Sequence, residues 1–227
     1  MIGSIWNKWD LHVHSPMTYH NNQYNGLSVD DFVDSLHSNA LSLVGITNYF
    51  YFENNELEKV RESIHSKGYE ITVLGNLEFR INQQNKDGEW INIHCIFAEY
   101  LATSKINEVL SKFLITNTTT SGHNVYCSVD SLNGSGIKLH EVTVDFKQLL
   151  THLNSSLHFG TDYLIAVCPN GYGGFRPNIQ EGRSTAMAIE IEKQGQIILG
   201  RSEDREFFLG TSRYEGSKPK PVFVSSD

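Results

Sequence analysis

Residues 9–15 read W-D-L-H-V-H-S, a segment in which polar and apolar side chains alternate. In an extended chain Leu11 and Val13 fall on one face, and His12 and His14 fall on the other. This alternation predicts a β-strand. Because imidazoles two residues apart project to the same side of a strand, the pair can bind one metal ion or two adjacent ions. The H-x-H pattern alone is equally compatible with a half-buried polar edge whose imidazoles are satisfied by hydrogen bonds.

Downstream of this strand, capping signals and periodicity predict helices that alternate with strands. Ser28 and Asp31 form a capping box for a helix that ends near Ala40, and Gly68 closes a second amphipathic helix that begins at Glu53. Further strands are expected at 41–47, 71–81, 91–100, 163–167, 196–199 and 222–225, and further helical segments at 104–114, 144–153, 185–194 and 203–208. The alternation predicts βα units and a mainly parallel sheet, most simply one α/β barrel of about seven strands over residues 1–227.

Composition indicates a compact globular chain. Of its 227 residues 39% are hydrophobic, which is enough to bury a core. With 18 Lys and Arg against 26 Asp and Glu, the net charge of −8 leaves no long-range basic field for nucleic acid, although a local basic cleft is compatible with it. The three cysteines form no C-x-x-C pair, and no run approaches the roughly 18 apolar residues of a membrane helix. We expect a soluble, cytoplasmic protein with no membrane partner.

Other stretches have less distinctive patterns. Residues 116–140 are rich in Thr, Ser, Asn and Gly and are interpreted as a polar insertion in the barrel. Gly173 lies in a glycine-rich turn whose backbone N–H is a candidate phosphate donor, with an ordinary turn as the alternative. Glu56 is assigned to a solvated helix face, and Cys168 is interpreted as a small buried thiol.

W-D-L-H-V-H-S resembles the first motif of the PHP (polymerase and histidinol phosphatase) superfamily. Three later segments are similar to further motifs of that family: Glu78 in G-N-L-E-F-R, His94 in I-N-I-H-C, and Asp227 at the end of V-F-V-S-S-D. The resemblance covers essentially the whole chain, and the ordered set is more specific than any single motif. It implies a distorted seven-stranded (βα)7 barrel of PHP type that binds metal ions and cleaves phosphoesters.

A narrower set of segments resembles the PHP region at the N-terminus of TrlF-type AAA-like ATPases. These are T-N-Y-F around Asn48, P-N-G-Y-G-G at 169–174, D-R-E-F-F-L-G at 204–210 and the final Lys-Pro strand. No G-x-x-x-x-G-K-[ST] loop is in the sequence, so the resemblance implies an AAA-like ATPase module as a partner in cis or in trans. Because the family places a histidine after the aspartate that is last here, the C-terminal end is expected to be truncated at the last metal motif.

The second family motif is altered in this chain. Where the family has Asp-His in a phrase like G-I-T-D-H, this chain has Asn48 and Tyr49. Asn48 offers a neutral oxygen that cannot act as a general base, and Tyr49 removes an imidazole ligand. The change predicts a degraded third metal site, which leaves one or two ions of Mn, Zn or Fe bound by His12, His14, Glu78, His94 and Asp227.

The functional expectation is a divalent-metal-dependent phosphoesterase, of phosphatase or nuclease type, acting through metal-activated water. Its partner would be a phosphorylated small molecule or a nucleic-acid end. Arg80 lies two residues after Glu78 on the same strand face and is the candidate catalytic residue, which would clamp the phosphate bidentately. His20 and Gly173 are candidate substrate contacts.

Purely structural interpretations of these residues remain open. Glu78 and Arg80 would also suit an ordinary ion pair, and His94 would suit a core histidine bonded to a backbone carbonyl. Asn48, Tyr49 and the truncated end support a second functional hypothesis, a catalytically impaired scaffold that docks or regulates an ATPase partner.

Overall fold

The computed structural model describes residues 7–20, 22–24, 26–53, 55–176 and 180–224. Nine strands lie in this part of the chain: β1 (Lys8–His14), β2 (Leu41–Tyr49), β3 (Thr72–Gln84), β4 (Trp90–Phe97), β5 (Leu114–Thr118), β6 (Asn124–Tyr126), β7 (Tyr163–Val167), β8 (Ile197–Gly200) and β9 (Val222–Val224). The α-helices are α1 (Val29–Ser38), α2 (Glu56–Ser66), α3 (Thr103–Leu110), α4 (Val129–Gly134), α5 (Phe146–Asn154), α6 (Gly182–Gln194) and α7 (Asp204–Leu209).

Seven strands form one nearly closed, barrel-like sheet in the order β1-β2-β3-β4-β7-β8-β9. Four of its six adjacent pairs are parallel, so the mixed α/β architecture with a mostly parallel sheet is confirmed. The two end strands approach each other through the stacked rings of Trp9 and Phe223, whose centroids are 5.9 Å apart. No helix of the described residues is long and apolar enough to cross a membrane.

The expectation of regular βα units is wrong at β4, which runs antiparallel to both β3 and β7. The cause is the short turn between β3 and β4, where the Asn85 side chain accepts hydrogen bonds from the backbone of Asp87 and Glu89. Two strands joined by so short a connection pair antiparallel, since a parallel pair needs a long crossover. As a result Glu78 of β3 and His94 of β4 are direct cross-strand partners.

The alternation predicted for β1 is interrupted by a bulge. From Asp10 to Val13 the pairing advances three residues along β1 but only two along β2, from Val44 to Ile46. Leu11 therefore packs with Ile96, Ala166 and Leu199, whereas Val13 packs with the larger cluster beneath the helices. The prediction that Leu11 and Val13 share one face is wrong for this reason, since an extra residue re-aims the side chains that follow it.

The predicted polar insertion, 116–140, carries secondary structure of its own. β5 and β6 form a separate two-stranded antiparallel sheet, and α4 follows it. The carbonyl of Leu139 in this segment accepts a hydrogen bond from Arg80 of β3, and just after the segment Val144 bridges Ile81 and donates its N–H to the carbonyl of Arg80 at 2.8 Å. The insertion therefore reaches the strand that carries the candidate phosphate clamp.

Candidate functional site

Three imidazoles and one carboxylate predicted from the sequence lie side by side at the carboxyl end of β1. The ring centroid of His12 is 5.3 Å from that of His14 and 4.9 Å from that of His94. The Nε2 atom of His12 is 3.9 Å from Oε2 of Glu78. Residues more than 60 positions apart are thus brought together by the pairing of β1, β2, β3 and β4.

Hydrogen bonds to the Nδ1 atoms orient two of the imidazoles. His14 Nδ1 is 3.2 Å from the carbonyl oxygen of Thr47, which can only accept, so Nδ1 carries a proton, and in the neutral imidazole the lone pair is on Nε2. His94 Nδ1 is 3.0 Å from Oδ1 of Asn76. His94 is almost completely buried, and this burial, together with the repulsion that a protonated His94 would meet from protonated His12 and His14, holds its pKa well below the usual range. The imidazole of His94 is therefore neutral at physiological pH.

Arg80 lies beside this cluster and is also buried, at 5% exposure. Its Nη1 donates to the carbonyl oxygen of Leu139 in the insertion at 3.3 Å, and its guanidinium carbon is 5.6 Å from the ring centroid of Tyr49. Among the described residues its Nε has no hydrogen-bond partner. A buried guanidinium with an unused donor is costly unless it meets an acceptor, so this group is suited to bind an anion.

A cleft of about 440 Å³ opens beside this cluster. One wall is formed by His12, Glu78, Arg80 and His94; the other is formed by the segments that follow β7 and β8, including Cys168, Asn170, Tyr172 and Arg201. Cys168 is partly exposed in this wall, so its interpretation as a buried thiol is wrong.

Asp204 holds the second wall together. It is fully buried, and its carboxylate accepts hydrogen bonds from the Asn170 amide and the Arg176 guanidinium. It also accepts from the backbone N–H of Arg201 at 2.8 Å. One carboxylate therefore fixes both segments that face the histidines.

The remaining predicted contacts have different positions. His20 packs edge-on against the ring of Tyr49, with centroids 5.3 Å apart. The N–H of Gly173 donates to the carboxylate of Glu89 at 3.0 Å, so this donor is used within the protein. Asp227 lies outside the described residues.

Asn48, in the altered second motif, belongs to a buried hydrogen-bond network centred on the carboxylate of Glu56. Asn48 Nδ2 donates to Glu56 Oε2 at 2.8 Å, and the Ser15 hydroxyl donates to Glu56 Oε1 at 2.6 Å. The backbone N–H of Glu53 also donates to this carboxylate, at 3.1 Å. Glu56 is fully buried, so its assignment to a solvated helix face is wrong: it begins α2 directly beneath the ends of β1 and β2. Burial raises the pKa of Glu56 above its usual value.

Proximity of these side chains does not by itself make a preformed metal site. Within the described ranges, no three His, Cys, Asp or Glu side chains are arranged as a group that could hold a metal ion. The donor types are nevertheless those of a mixed nitrogen and oxygen site. The cluster therefore has the required chemistry without a formed coordination shell.

Sequence reasoning missed three residues that organise the site: Asn76, Glu56 and Asp204. Asn76 lies in G-N-L-E-F-R, the segment that contains Glu78, and Asp204 begins D-R-E-F-F-L-G. Both residues therefore lie in segments that the sequence analysis singles out. No pattern in the sequence indicates their partners, because these lie on other strands and loops. Glu56 occupies an ordinary helical position, and only the packing of α2 reveals its burial.

The fold and the cleft define a mixed α/β protein with a nearly closed seven-stranded sheet and histidines at the carboxyl end of its first strand. No family model matches the chain, and no curated protein matches it significantly. Among solved structures, the chain is similar to a "putative metal-dependent phosphoesterase" from Bifidobacterium adolescentis, with a TM-score of 0.50 and 11% sequence identity. The match covers 97% of this chain and 87% of that one. At this identity the likeness shows the fold alone.

Proposed function

We propose that this protein is a divalent-metal-dependent phosphoesterase with a barrel of PHP type. The observation that carries the proposal is the meeting of His12, His94 and Glu78 in one cleft beside the buried guanidinium of Arg80, with the ring of His14 packed against that of His12. The fold of the phosphoesterase from Bifidobacterium adolescentis supports the general class.

The residues present fit a divalent cation by their donor chemistry. His14 presents its lone pair on Nε2, and Glu78 adds a carboxylate oxygen 3.9 Å from the imidazole of His12. Such nitrogen and oxygen donors suit Mn, Zn or Fe. A bound divalent ion supplies Lewis acidity, which neutralises phosphoryl oxygens and lowers the pKa of water to about 7. Asp227 is proposed as a further ligand from its place in the sequence.

Arg80 is proposed to bind the phosphoryl group. Its Nη1 donates to the carbonyl of Leu139, which tethers the guanidinium where Arg80 lines the cleft, and its buried Nε has no hydrogen-bond partner among the described residues. Because the group is already desolvated and held in place, binding an anion costs little additional ordering. Substitution by a flexible lysine would keep the charge and lose this geometry.

A second candidate function is supported by the network around Glu56. Asn48, in the altered second motif, and Ser15 both donate hydrogen bonds to the buried carboxylate of Glu56. A chain stabilised in this way can retain the barrel with reduced hydrolysis and act as a scaffold for an AAA-like ATPase module. That partner, and the resemblance to TrlF-type proteins that implies it, stay predictions.

The proposal is tested on purified protein loaded with Mn or Zn. Bound metal is measured by inductively coupled plasma mass spectrometry, and turnover is measured with p-nitrophenyl phosphate and bis-p-nitrophenyl phosphate. We expect stoichiometric metal and turnover, both lost in His12→Ala and retained in His158→Ala, an exposed histidine in the turn before β7. Full metal loading without turnover on either ester would favour the scaffold. Unchanged turnover in His12→Ala would mean that the site is assigned wrongly.

A further inference from the structure

We propose that Asn76 is a positioning residue that holds His94 in its Nδ1–H tautomer and so presents the Nε2 lone pair to the cleft. Asn76 is fully buried in β3 and contacts β1, β2 and β4 at once. The statement about the tautomer stands on hydrogen-bond geometry alone. Its consequence for metal binding rests on the proposed function.

The orientation of the Asn76 amide is determined by its surroundings. One polar atom of the amide is 2.7 Å from the backbone carbonyl oxygen of Leu11, and a carbonyl can only accept. This atom must therefore be the NH2 group, and Oδ1 must point the other way. The positions of the amide nitrogen and oxygen therefore follow from their hydrogen-bond partners.

A second contact is consistent with the same orientation. The NH2 group of Asn76 is also 3.0 Å from the hydroxyl oxygen of Thr47. That hydroxyl has one hydrogen, which it donates to the carbonyl of Gly45 at 3.1 Å, so towards Asn76 it accepts. Both amide hydrogens of Asn76 are thus directed at fixed acceptors, in a chain of bonds that ends on two backbone carbonyls.

The remaining atom of the amide decides the state of His94. Oδ1 of Asn76 is 3.0 Å from Nδ1 of His94 and has no hydrogen to give, so Nδ1 must carry the proton. In a neutral imidazole the lone pair is then on Nε2. The opposite tautomer would leave Oδ1 and Nδ1 facing each other with two lone pairs, inside a buried site where that contact is costly.

His14 is also held with a proton on Nδ1, but by a different kind of acceptor. There the acceptor is the backbone carbonyl of Thr47, which no substitution removes. At His94 the acceptor is a side chain, so one substitution can test its role. Outer-shell partners that fix the tautomer of a ligating histidine typically change metal affinity by about 10- to 100-fold when removed.

The tautomer is measured in metal-free protein by long-range 1H–15N NMR correlation of 15N-histidine-labelled samples, with His94 assigned from its missing signals in His94→Gln. We expect the Nδ1–H pattern in the wild type and its loss in Asn76→Leu, which keeps the volume and removes every polar contact. Thr47→Val is the matched control: it deletes the two hydrogen bonds of the Thr47 hydroxyl, to Asn76 and to Gly45, but keeps the contact of Asn76 with Leu11, so the Nδ1–H pattern should persist.

A wild-type spectrum in which His94 carries its proton on Nε2 would overturn the proposal even if no variant folds. Retention of the Nδ1–H pattern in folded Asn76→Leu would overturn it as well. Zinc titration then separates this inference from the proposed function. A wild type that binds no zinc refutes the metal site but leaves the tautomer assignment standing. Equal zinc affinity in wild type and Asn76→Leu, with the tautomer changed, refutes the consequence for binding. We expect a loss of about 10- to 100-fold.

Discussion

The two halves of the main sheet build their sides of the cleft by different means. Strands β1 to β4 have 7, 9, 13 and 8 residues, and their register brings the imidazoles and Glu78 together. Strands β7 to β9 have only 5, 4 and 3 residues, and the segments after β7 and β8 are held by the carboxylate of Asp204. The first half positions groups by backbone pairing, and the second half depends on a single side chain.

The largest effect is expected from Gly45→Ala in the first half. A Cβ at Gly45 would lie 2.3 Å from the carbonyl oxygen of Leu11, which belongs to the bulge in β1 and cannot rotate away. We expect a loss of about 3 kcal/mol in the free energy of unfolding, measured with urea. Gly195→Ala is the control in the second half, because its Cβ would meet the side chain of Val167 instead. An equal loss in both variants would contradict the distinction between the halves.

Asp204→Ala is the corresponding test of the second half. It removes the shared acceptor of Asn170, Arg176 and the Arg201 backbone, so unfolding should require about 2 kcal/mol less. Asp34→Ala, which removes an exposed ion pair with Lys67, should change stability by less than about 1 kcal/mol. If Asp204→Ala were as mild as this control, the second wall would not depend on one carboxylate.

Asn48→Asp introduces the residue found in the PHP motif that this segment resembles, and it should destabilise this chain. The new carboxylate would face Oε2 of Glu56, now 2.8 Å from the Asn48 amide, so two like charges would share a buried site. We expect a loss of about 1 to 2 kcal/mol at pH 7, at about 1.4 kcal/mol for each unit by which the pKa of the pair is raised. Thermal unfolding at pH 5 and pH 7 measures it, with Asn124→Asp on the exposed β6 as control. A more stable Asn48→Asp protein without added metal would contradict the assigned network.

The smallest effect is expected in the pH dependence of stability. Because burial raises the pKa of Glu56, the folded chain holds this proton more tightly than the unfolded chain. The contribution to stability is complete below the unfolded value of about 4.3 and is lost as the pH rises through the raised value. Glu56→Gln should remove this decline, whereas Glu62→Gln on the exposed face of α2 should keep it. Urea unfolding across that pH range measures both, and identical profiles for the two variants would refute the assignment.

The sequence predicted individual helices and strands better than it predicted how the strands are connected and in which direction they pair. Tyr163–Val167 forms a strand with the expected bounds, and the side chain of Ser28 caps α1 as its pattern indicated. The reversal at β4 was missed, although D-G at 87 and 88 is a recognised hairpin signal. Within the site, alternation indicated His12 and His14, but nothing local indicates that Asn76 meets His94, because that contact depends on the antiparallel register of β3 and β4.

The tether between Arg80 and Leu139 separates two tasks within a single cleft. The imidazoles are anchored to the sheet, while the guanidinium is also anchored to a segment outside the sheet. Changes in the length or sequence of that segment can therefore shift the anion-facing group while the nitrogen donors keep their places. Under the proposed function, such changes would alter which anion is bound while the metal ligands stay in place.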